Sequence, residues 1–426
     1  MRVRGITLGC KVNTYETEYI LLEFQKKGYE IVKEESDIYI INTCSVTNTS
    51  DSKSRKIINR IARENKDSII VVMGCMIEAH KDYDNPLVSI IIGNKDKSRV
   101  ISLVEEYIKE KERKKLLYHD FDLDFEDMFI DHMSEHTRAF VKIQDGCENF
   151  CSYCIIPYTR GRQRSKRPER VLDEINLLVQ NGYQEIVLTG IHTGHYGSDI
   201  ETSFPMLLRE IVKIKGLKRL RISSIEITEL NDEFLSVLKE YPQIVSHLHI
   251  PLQAGSDEIL KSMNRKYDLK YFFDKIETIR SIRPDISITT DIIVGFPGES
   301  DEMFLETLNN SKKLKFSKIH VFPYSRREGT KADLMPNQVK EEIKKDRVKK
   351  LMDLSLELEC EYLDSFIGKN VEVLTEEVKE DKTIGHTSNY LKVEIDDILD
   401  SNKMVMVKII KRYGNILKGE LDERVE

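Results

Sequence analysis

Three cysteines stand within eight residues of one another near the middle of this 426-residue chain. Cys147, Cys151 and Cys154 form a C-x3-C-x2-C motif that follows a predicted strand, Ala139–Ile143. Three thiolates at this spacing can hold three irons of a [4Fe–4S] cluster and leave the fourth iron without a protein ligand. A zinc knuckle that lacks one ligand and a disulfide are the alternatives, and both fit the motif less well.

An iron without a protein ligand offers an open coordination site. Such an iron can chelate the amino and carboxylate groups of S-adenosylmethionine, and an electron from the cluster then cleaves the sulfonium to a 5′-deoxyadenosyl radical. The motif cysteines are therefore candidate catalytic residues as well as candidate metal ligands.

A second set of three cysteines follows three predicted strands in the first part of the chain. The apolar runs Val3–Leu8, Asp37–Ile41 and Ile69–Met73 each precede a cysteine and then a helical pattern. Continuous apolar strands that alternate with helices predict an open parallel α/β sheet, and ligands bind such sheets at the carboxyl ends of the strands. We therefore expect the three thiols to converge on a second iron–sulfur site, although three separate buried cysteines are an alternative. The three are Cys10, Cys44 and Cys75.

Predicted strands alternate with helical patterns from the motif onward. The strands are expected at Ala139–Ile143, Glu185–Leu188, Arg219–Ile225, Ser246–Leu252, Ile286–Val294 and Lys318–Pro323. This alternation predicts a partial (βα)6 barrel, and sites on such barrels lie at the carboxyl ends of the strands.

The final segment, residues 366–426, consists of short alternating runs with turns between them. This pattern predicts a small antiparallel β-barrel of the kind that often binds nucleic acid. Tyr390 or Tyr413 could stack on bases, and a solvated face on an accessory domain is an equal alternative. The basic residues expected to line one region of the barrel are Lys403, Lys408, Lys411, Arg412 and Lys418.

The net charge of -7 argues against a chain coated all round in basic charge. Basic residues nevertheless concentrate in Arg160–Arg170, Lys312–Lys350 and Ser401–Gly419, whereas the acidic run Asp120–Glu135 is expected to form a linker. The segment Met1–Cys10 lacks the apolar region of a secretory signal, and no apolar run approaches the ~20 residues of a membrane span. We therefore expect a cytoplasmic protein without membrane contact, whose cysteines stay reduced.

The two cysteine sets and the strings around them resemble the radical S-adenosylmethionine methylthiotransferases. The strings are LGCKVNTYETE from Leu8, CSYCIIPYTRGR from Cys151 and LTGIHTGHYG from Leu188. The resemblance covers nearly the whole chain. It implies an amino-terminal methylthiotransferase domain at residues 1–117, an acidic linker at 118–137, a radical core at 138–365 and a TRAM RNA-binding domain at 366–426.

The resemblance also implies roles for individual residues. Cys10, Cys44 and Cys75 would hold an auxiliary [4Fe–4S] cluster, and the motif cysteines would hold the radical-generating cluster. Cys360 is left without a role. Four positions match residues near S-adenosylmethionine in the family: Tyr153, Gly190, Gln253 and Gly295.

The family has three bacterial branches, which modify isopentenyladenosine in tRNA, threonylcarbamoyladenosine in tRNA, or an aspartate of a ribosomal protein. The strings here are most similar to the threonylcarbamoyladenosine branch, because the isopentenyladenosine branch typically has GQN in place of residues Thr189–His192. The implied reaction adds a methylthio group to carbon 2 of the adenine at tRNA position 37. It uses two molecules of S-adenosylmethionine per turnover, the tRNA anticodon loop, a cellular electron donor and a sulfur source. The alternatives are a sister branch with another substrate and a zinc-containing RNA-binding module without activity.

Overall fold

The computed structural model describes residues 1–117, 124–134 and 137–422. In residues 1–117 parallel strands form an open sheet with the order β2-β1-β3-β4-β5-β6. These strands are β1 (Arg2–Thr7), β2 (Glu30–Ile31), β3 (Ile38–Thr43), β4 (Ile69–Gly74), β5 (Ile90–Ile92) and β6 (Lys114–Leu116). The helices between them are α1 (Lys11–Lys26), α2 (Asn48–Glu64), α3 (Cys75–Ala79) and α4 (Val100–Glu110).

The predicted parallel α/β sheet is confirmed, and its central strands are buried on both faces. Along β3, Ile38 and Ile40 pack into one core with α1 and α4, while Tyr39 and Ile41 pack into another with α2 and α3. Side chains of a strand alternate between faces, so a strand covered by helices on both sides must be apolar at every position. This burial explains why β3 and β4 read as unbroken apolar runs in the sequence.

The central unit carries the alternating strands and helices that the sequence predicts. Its strands are β7 (Ala139–Lys142), β8 (Gln144–Asp145), β9 (Arg164–Ser165), β10 (Glu185–Thr189), β11 (Arg219–Ile222), β12 (His247–His249), β13 (Ser287–Val294) and β14 (Lys318–Pro323). Its helices are α5 (Ile156–Arg160), α6 (Pro168–Gln180), α7 (Phe204–Ile211), α8 (Asp232–Glu240), α9 (Asp257–Ser262), α10 (Leu269–Ile282), α11 (Asp301–Leu314) and α12 (Glu341–Asp364).

The strands of the central unit form a partial barrel, as predicted. The order β11-β10-β7 makes one parallel sheet and β12-β13-β14 makes another. Backbone hydrogen bonds from Val245 to Leu220 and from Ile225 to His249 join the two halves. Strands β11 and β12 are shorter than predicted, although the chain beyond each of them still bonds the next strand through Ile225 and Gln253. Gln253 has a left-handed φ of 69°. The pair β8–β9, which was not predicted, flanks the cysteine motif.

The last unit is a small closed barrel with the strand order β15-β16-β17-β19-β18. Its strands are β15 (Asn370–Lys379), β16 (Lys382–Thr387), β17 (Lys392–Ile395), β18 (Met404–Tyr413) and β19 (Ile416–Leu421). Neighbouring strands are antiparallel except β17 and β19, which are parallel. Strand directions can alternate all the way round a closed ring only if the number of strands is even, so this ring requires a parallel pair.

Buried arginines of the central unit hold the C-terminal barrel in place. Arg219 donates to the backbone oxygens of His386 (3.0 Å) and Glu372 (2.8 Å). Its neighbour Arg221 donates to Glu185 at 2.6 Å. Glu185 is fully buried, and Arg138 joins it at 3.0 Å while also pairing with the barrel residue Glu376. The C-terminal barrel therefore has a defined position against the strands β10 and β11.

The predicted acidic linker, residues 118–137, lies partly outside the described residues. In its described part, Met128, Ile130 and Met133 are buried in the core of the central unit. Glu126 accepts a hydrogen bond from the backbone N–H of Ser98 at 2.7 Å. The domain limits given above remain predictions. Within the three described ranges, no helix is long and apolar enough to cross a membrane.

A buried charge network joins the first sheet unit to the central unit. The Glu16 carboxylate of α1 contacts the ammonium of Lys97 at 2.5 Å, that of Lys142 at 3.0 Å and the guanidinium of Arg160 at 3.1 Å. Asp145 contacts Lys142 at 2.7 Å and Arg160 at 3.0 Å. None of these side chains is more than 6% exposed. Burial raises the pKa of Glu16, but the three cations outweigh it and hold the pKa below its usual range.

We expect Glu16→Gln to lower the melting temperature strongly. Removing one partner of a buried ion pair costs about 3–5 kcal/mol, because the remaining charges stay buried without compensation. The matched control is Glu23→Gln on the same helix, where Glu23 pairs with Lys26 at the surface and such pairs contribute about 0–1 kcal/mol. Thermal unfolding followed by circular dichroism measures both, and an equal loss in the two variants would contradict a structural role for the network.

Candidate active site

The structure places Cys10, Cys44 and Cys75 at one edge of the first sheet. Cys10 precedes α1, Cys44 directly follows β3, and Cys75 is the first residue of α3 after β4. Because β1, β3 and β4 are neighbours in the sheet, their carboxyl ends lie side by side. Burial, and to a smaller extent the nearby Cys75 and Cys10 thiols, raises the pKa of Cys44 to about 11. The three thiols therefore lie at the same edge of the sheet, and their role as a second iron–sulfur site remains a prediction.

A glycine allows two of these thiols to approach each other. Gly9 has a φ of 102°, and a Cβ placed there would lie 2.7 Å from the Cys44 sulfur. The Asn13 amide donates to the backbone oxygens of Leu8 (2.7 Å) and Thr43 (3.0 Å), so it ties together the loops that carry Cys10 and Cys44. Only a glycine combines this φ with the close contact.

The motif cysteines lie in the loop between β8 and α5. The Cys147 N–H donates to the backbone oxygen of Gly161 at 3.1 Å, and the Cys154 N–H donates to that of Cys151 at 2.9 Å. These bonds fold the loop back on itself, and burial raises the pKa of Cys154 to about 12. The loop thus gathers its thiols through its own backbone, as a motif of such short spacing can.

Two side chains that the sequence did not indicate contact the motif thiols. The Arg265 guanidinium donates to the Cys151 sulfur at 3.4 Å and pairs with Glu226. The His192 Nδ1 lies 3.9 Å from the Cys147 sulfur. Neither residue is close to the motif along the chain, so no spacing in the sequence could have identified them.

The donor sets fit iron–sulfur clusters. All six cysteines are free thiols, so neither set is closed by disulfides. Within the described ranges, no group of three or more His, Cys, Asp or Glu side chains is arranged around the position of a single metal ion. In a [4Fe–4S] cluster each thiolate binds a different iron, so its ligands stand farther apart than those of one ion. The assignment of the two sets to two clusters remains a prediction.

Four residues are predicted to lie near S-adenosylmethionine, and this role remains a prediction. Tyr153 packs in a small core with Ala254 and Phe296, the neighbours of Gln253 and Gly295. Gln253 and Gly295 both have left-handed backbones, and the Gly295 N–H donates to Glu299 at 2.6 Å. Gly190 lines the cavity described next.

A cavity of about 980 Å³ opens where the three units meet. The sheet unit contributes Cys10, Cys44 and Cys75 to its wall. The central barrel contributes strand ends such as Thr189–Gly190 and Ser223–Ser224, and the C-terminal barrel contributes His386, Tyr390 and Lys392. The motif cysteines are not among the lining residues, but Gly190 and Ile191 are, and the next residue, His192, contacts Cys147. The motif loop therefore lies next to the part of the cavity wall formed by Gly190 and Ile191.

The predicted RNA-binding residues are placed unevenly. Tyr390 lines the cavity, but its ring already stacks on His386 and lies under Arg221 at 4.7 Å. Tyr413 is 60% exposed, outside the cavity. Arg412 pairs with an acid at 2.7 Å, as does Lys418 at 2.6 Å. The cavity lining contains none of the five predicted basic residues of this barrel: Lys403, Lys408, Lys411, Arg412 and Lys418.

The basic run Arg160–Arg170 is partly internal. Arg160 and Lys166 are each 1% exposed and pair with buried carboxylates. Arg170 pairs with Asp127 at 2.8 Å on the surface. Two of the six basic residues of this run therefore stabilise the interior, and Arg162, Arg167 and Arg170 are exposed. Cys360 lies on α12 and is not part of either thiol set.

Comparisons with known families and proteins agree with this architecture. A family profile described as the Radical SAM superfamily matches residues 141–310, and one described as Uncharacterized protein family UPF0004 matches residues 2–93. Among solved structures, the radical S-adenosylmethionine methyltransferase TsrM from Kitasatospora setae, with cobalamin and a [4Fe–4S] cluster bound, aligns with a TM-score of 0.58 at 13% identity. The alignment covers 78% of this chain and 76% of that one, and it shows the fold alone.

Curated relatives match nearly the whole chain. A protein of Bacillus subtilis (strain 168) named threonylcarbamoyladenosine tRNA methylthiotransferase MtaB is 43% identical over 99% of this chain and 96% of its own length. The protein of the same name from Thermotoga maritima is 38% identical over 97% of this chain and 96% of its own length. A tRNA-2-methylthio-N(6)-dimethylallyladenosine synthase of Clostridium perfringens is 35% identical over 98% of this chain and 97% of its own length.

We expect Gly9→Ala to remove the first thiol set as a metal site. The new Cβ would press against the Cys44 sulfur, so iron in anaerobically reconstituted protein should fall from about eight to about four per chain. The matched control is Gly28→Ala, because Gly28 also has a left-handed φ, 84°, but nothing lies within 4 Å of its added Cβ. Iron analysis should give the control its full content, and full content in Gly9→Ala as well would contradict the placement of this site.

Proposed function

The chain belongs to the radical S-adenosylmethionine methylthiotransferase family, and we propose that it adds a methylthio group to carbon 2 of the adenine of threonylcarbamoyladenosine at tRNA position 37. The observation that carries the proposal is the single cavity bounded by Cys10, Cys44 and Cys75, the barrel strand ends and the C-terminal barrel. The name of the relative with 43% identity over 99% of the chain supports this substrate.

The family uses two [4Fe–4S] clusters and S-adenosylmethionine, and we assign Cys10, Cys44 and Cys75 to one cluster and the motif cysteines to the other. When bound, these groups supply the radical that activates carbon 2 and the sulfur and methyl group that are transferred. Around them the chain supplies positions and charges. Arg265 donates to Cys151, and Asn94 donates to Cys75 at 3.5 Å and to the backbone of Thr159 in α5 at 2.8 Å.

The cavity is suited to one nucleoside rather than to a duplex. It includes the carboxyl ends of β10 and β11, where sites on such barrels form, it extends along β12, β13 and β14, and it is walled by the C-terminal barrel on another side. The exposed cations Arg162 and Arg167, in the segment that follows the cysteine motif, carry no ion pair within the described chain and are free to contact phosphates of the anticodon loop. Base contacts would come from the cavity wall, and phosphate contacts would set the register of the RNA.

The proposal includes partners that the reaction requires. A cellular electron donor reduces the cluster that cleaves S-adenosylmethionine, and a sulfur source replaces the sulfur transferred in each turnover. A cytoplasmic location is part of the same proposal, because tRNA is present there and thiols stay reduced. The second candidate is the isopentenyladenosine branch, which the Clostridium perfringens relative at 35% identity supports less strongly.

Deletion of the gene should abolish 2-methylthio-threonylcarbamoyladenosine in tRNA and leave threonylcarbamoyladenosine in its place. Mass spectrometry of tRNA nucleosides measures both, with a strain that carries the gene on a plasmid as the control. If the methylthio nucleoside persists in a strain without a second enzyme of this type, the proposed substrate is wrong. Loss of 2-methylthio-isopentenyladenosine instead would favour the second candidate.

Replacing one motif cysteine should separate the two metal sites. We expect Cys151→Ala to retain about four irons per chain and to form no 5′-deoxyadenosine, because only the radical-generating site loses a ligand. The matched control is Cys360→Ala, which removes a thiol of α12 that belongs to neither set and should keep about eight irons. Iron analysis and chromatography of the S-adenosylmethionine products measure the two outcomes, and normal 5′-deoxyadenosine in Cys151→Ala would refute the assignment.

A further inference from the structure

The charged groups around the cavity are mostly basic, and several of them have no counter-charge. The Glu359 carboxylate pairs with the Lys318 ammonium at 3.1 Å, and the Asp291 carboxylate lies 3.3 Å from the His249 ring. Both acidic side chains that line the cavity in the described chain therefore already have a partner. Lys11 lines the same cavity without an ion pair.

Lys11 is held at the cavity wall by its position in the fold. It is the first residue of α1 and directly follows Cys10. Its side chain forms no hydrogen bond or ion pair with any described residue. The guanidinium groups of Arg221 and Arg138 lie close enough to Lys11 to repel its charge. A cation that lies near two other cations and has no acidic partner is well placed to bind an anion.

A buried donor near Lys11 is also unsatisfied. Arg221 uses Nε on Glu185 at 2.6 Å and one terminal nitrogen on the backbone of Ser388 at 3.3 Å, but its Nη1 has no hydrogen-bond partner among the described residues. Buried donors are nearly always paired, so this unpaired donor near an unpaired lysine indicates an anionic ligand group.

We propose that Lys11, with Arg221 beside it, binds the carboxylate of the threonylcarbamoyl group of the substrate nucleoside. This inference rests on the proposed function. In adenine the N6 substituent and carbon 2 lie on the same edge of the base. If carbon 2 of the nucleoside faces Cys10, Cys44 and Cys75, its N6 substituent lies along the same wall of the cavity. Lys11, the residue after Cys10, is part of that wall. Isopentenyladenosine carries no charge there and would leave these cations uncompensated.

Binding of an anticodon stem-loop to reconstituted protein tests the proposal, with fluorescence anisotropy under anaerobic conditions as the measurement. The loops carry threonylcarbamoyladenosine, isopentenyladenosine or plain adenosine at position 37. We expect Lys11→Gln to lose roughly ten- to a hundredfold affinity for the threonylcarbamoyladenosine loop, as expected for a charge-assisted hydrogen bond, with unchanged affinity for the adenosine loop. Lys11→Arg should retain the preference because it keeps the charge.

A control variant and the pattern of affinities across the three loops distinguish carboxylate binding from other roles of the Lys11 charge. Lys26→Gln, at the far end of the same helix, should change no affinity. An equal loss on all loops would mean that Lys11 binds RNA phosphate, and no loss on any loop would mean that it only balances the cluster charge. Either result overturns the proposal.

The test also works without a variant. A loop whose threonylcarbamoyl carboxylate is a methyl ester should bind the unaltered protein about as weakly as the adenosine loop does. Tight binding of the ester would overturn the subsite even if Lys11→Gln failed to fold. If the unaltered protein does not prefer threonylcarbamoyladenosine to isopentenyladenosine, the proposed function fails. If it does prefer it and Lys11→Gln keeps that preference, only the subsite fails.

Discussion

The buried contact of Glu16 with Lys97, Lys142 and Arg160 is the interaction on which the arrangement of the two thiol sets depends. Glu16 and Lys97 belong to the sheet unit, whereas Lys142 and Arg160 belong to the central unit. Burying any one of these charges without its partners costs free energy. The two units are therefore stable in the relative position that brings all four charged groups together. That position places the helix that follows the cysteine motif, α5, against α3 and Cys75.

Arg160 connects this network to the chemistry. Its guanidinium contacts Glu16 and Asp145 on one side, donates to Asn13 at 2.7 Å, and lines the cavity beside Cys10. Its positive charge lowers the pKa of Cys10, although burial of that thiol has the larger effect and raises it. The same residue therefore stabilises the interface and sets the charge at the first thiol set.

The sequence alone predicted the elements that depend on residues close together along the chain. The runs that became β3 and β4 are largely apolar because both faces of those strands are covered, and that pattern can be identified directly in the sequence. The motif Cys147–Cys154 could be interpreted for the same reason, since its ligands are gathered by one loop. The sequence does not show which of the six basic residues of Arg160–Arg170 face solvent and which, like Arg160 and Lys166, pair with a buried carboxylate.

The sequence by itself therefore determined the fold class, the two sets of three thiols and the family. Only the tertiary structure decided what surrounds them: Arg265 and His192 at the motif, the parallel pair in the C-terminal barrel, and Lys11 on the cavity wall near the unpaired Nη1 of Arg221. The reason is physical. Periodicity and short spacings reflect contacts between neighbours along the chain, whereas charge pairing and cavity walls arise between residues that are hundreds of positions apart.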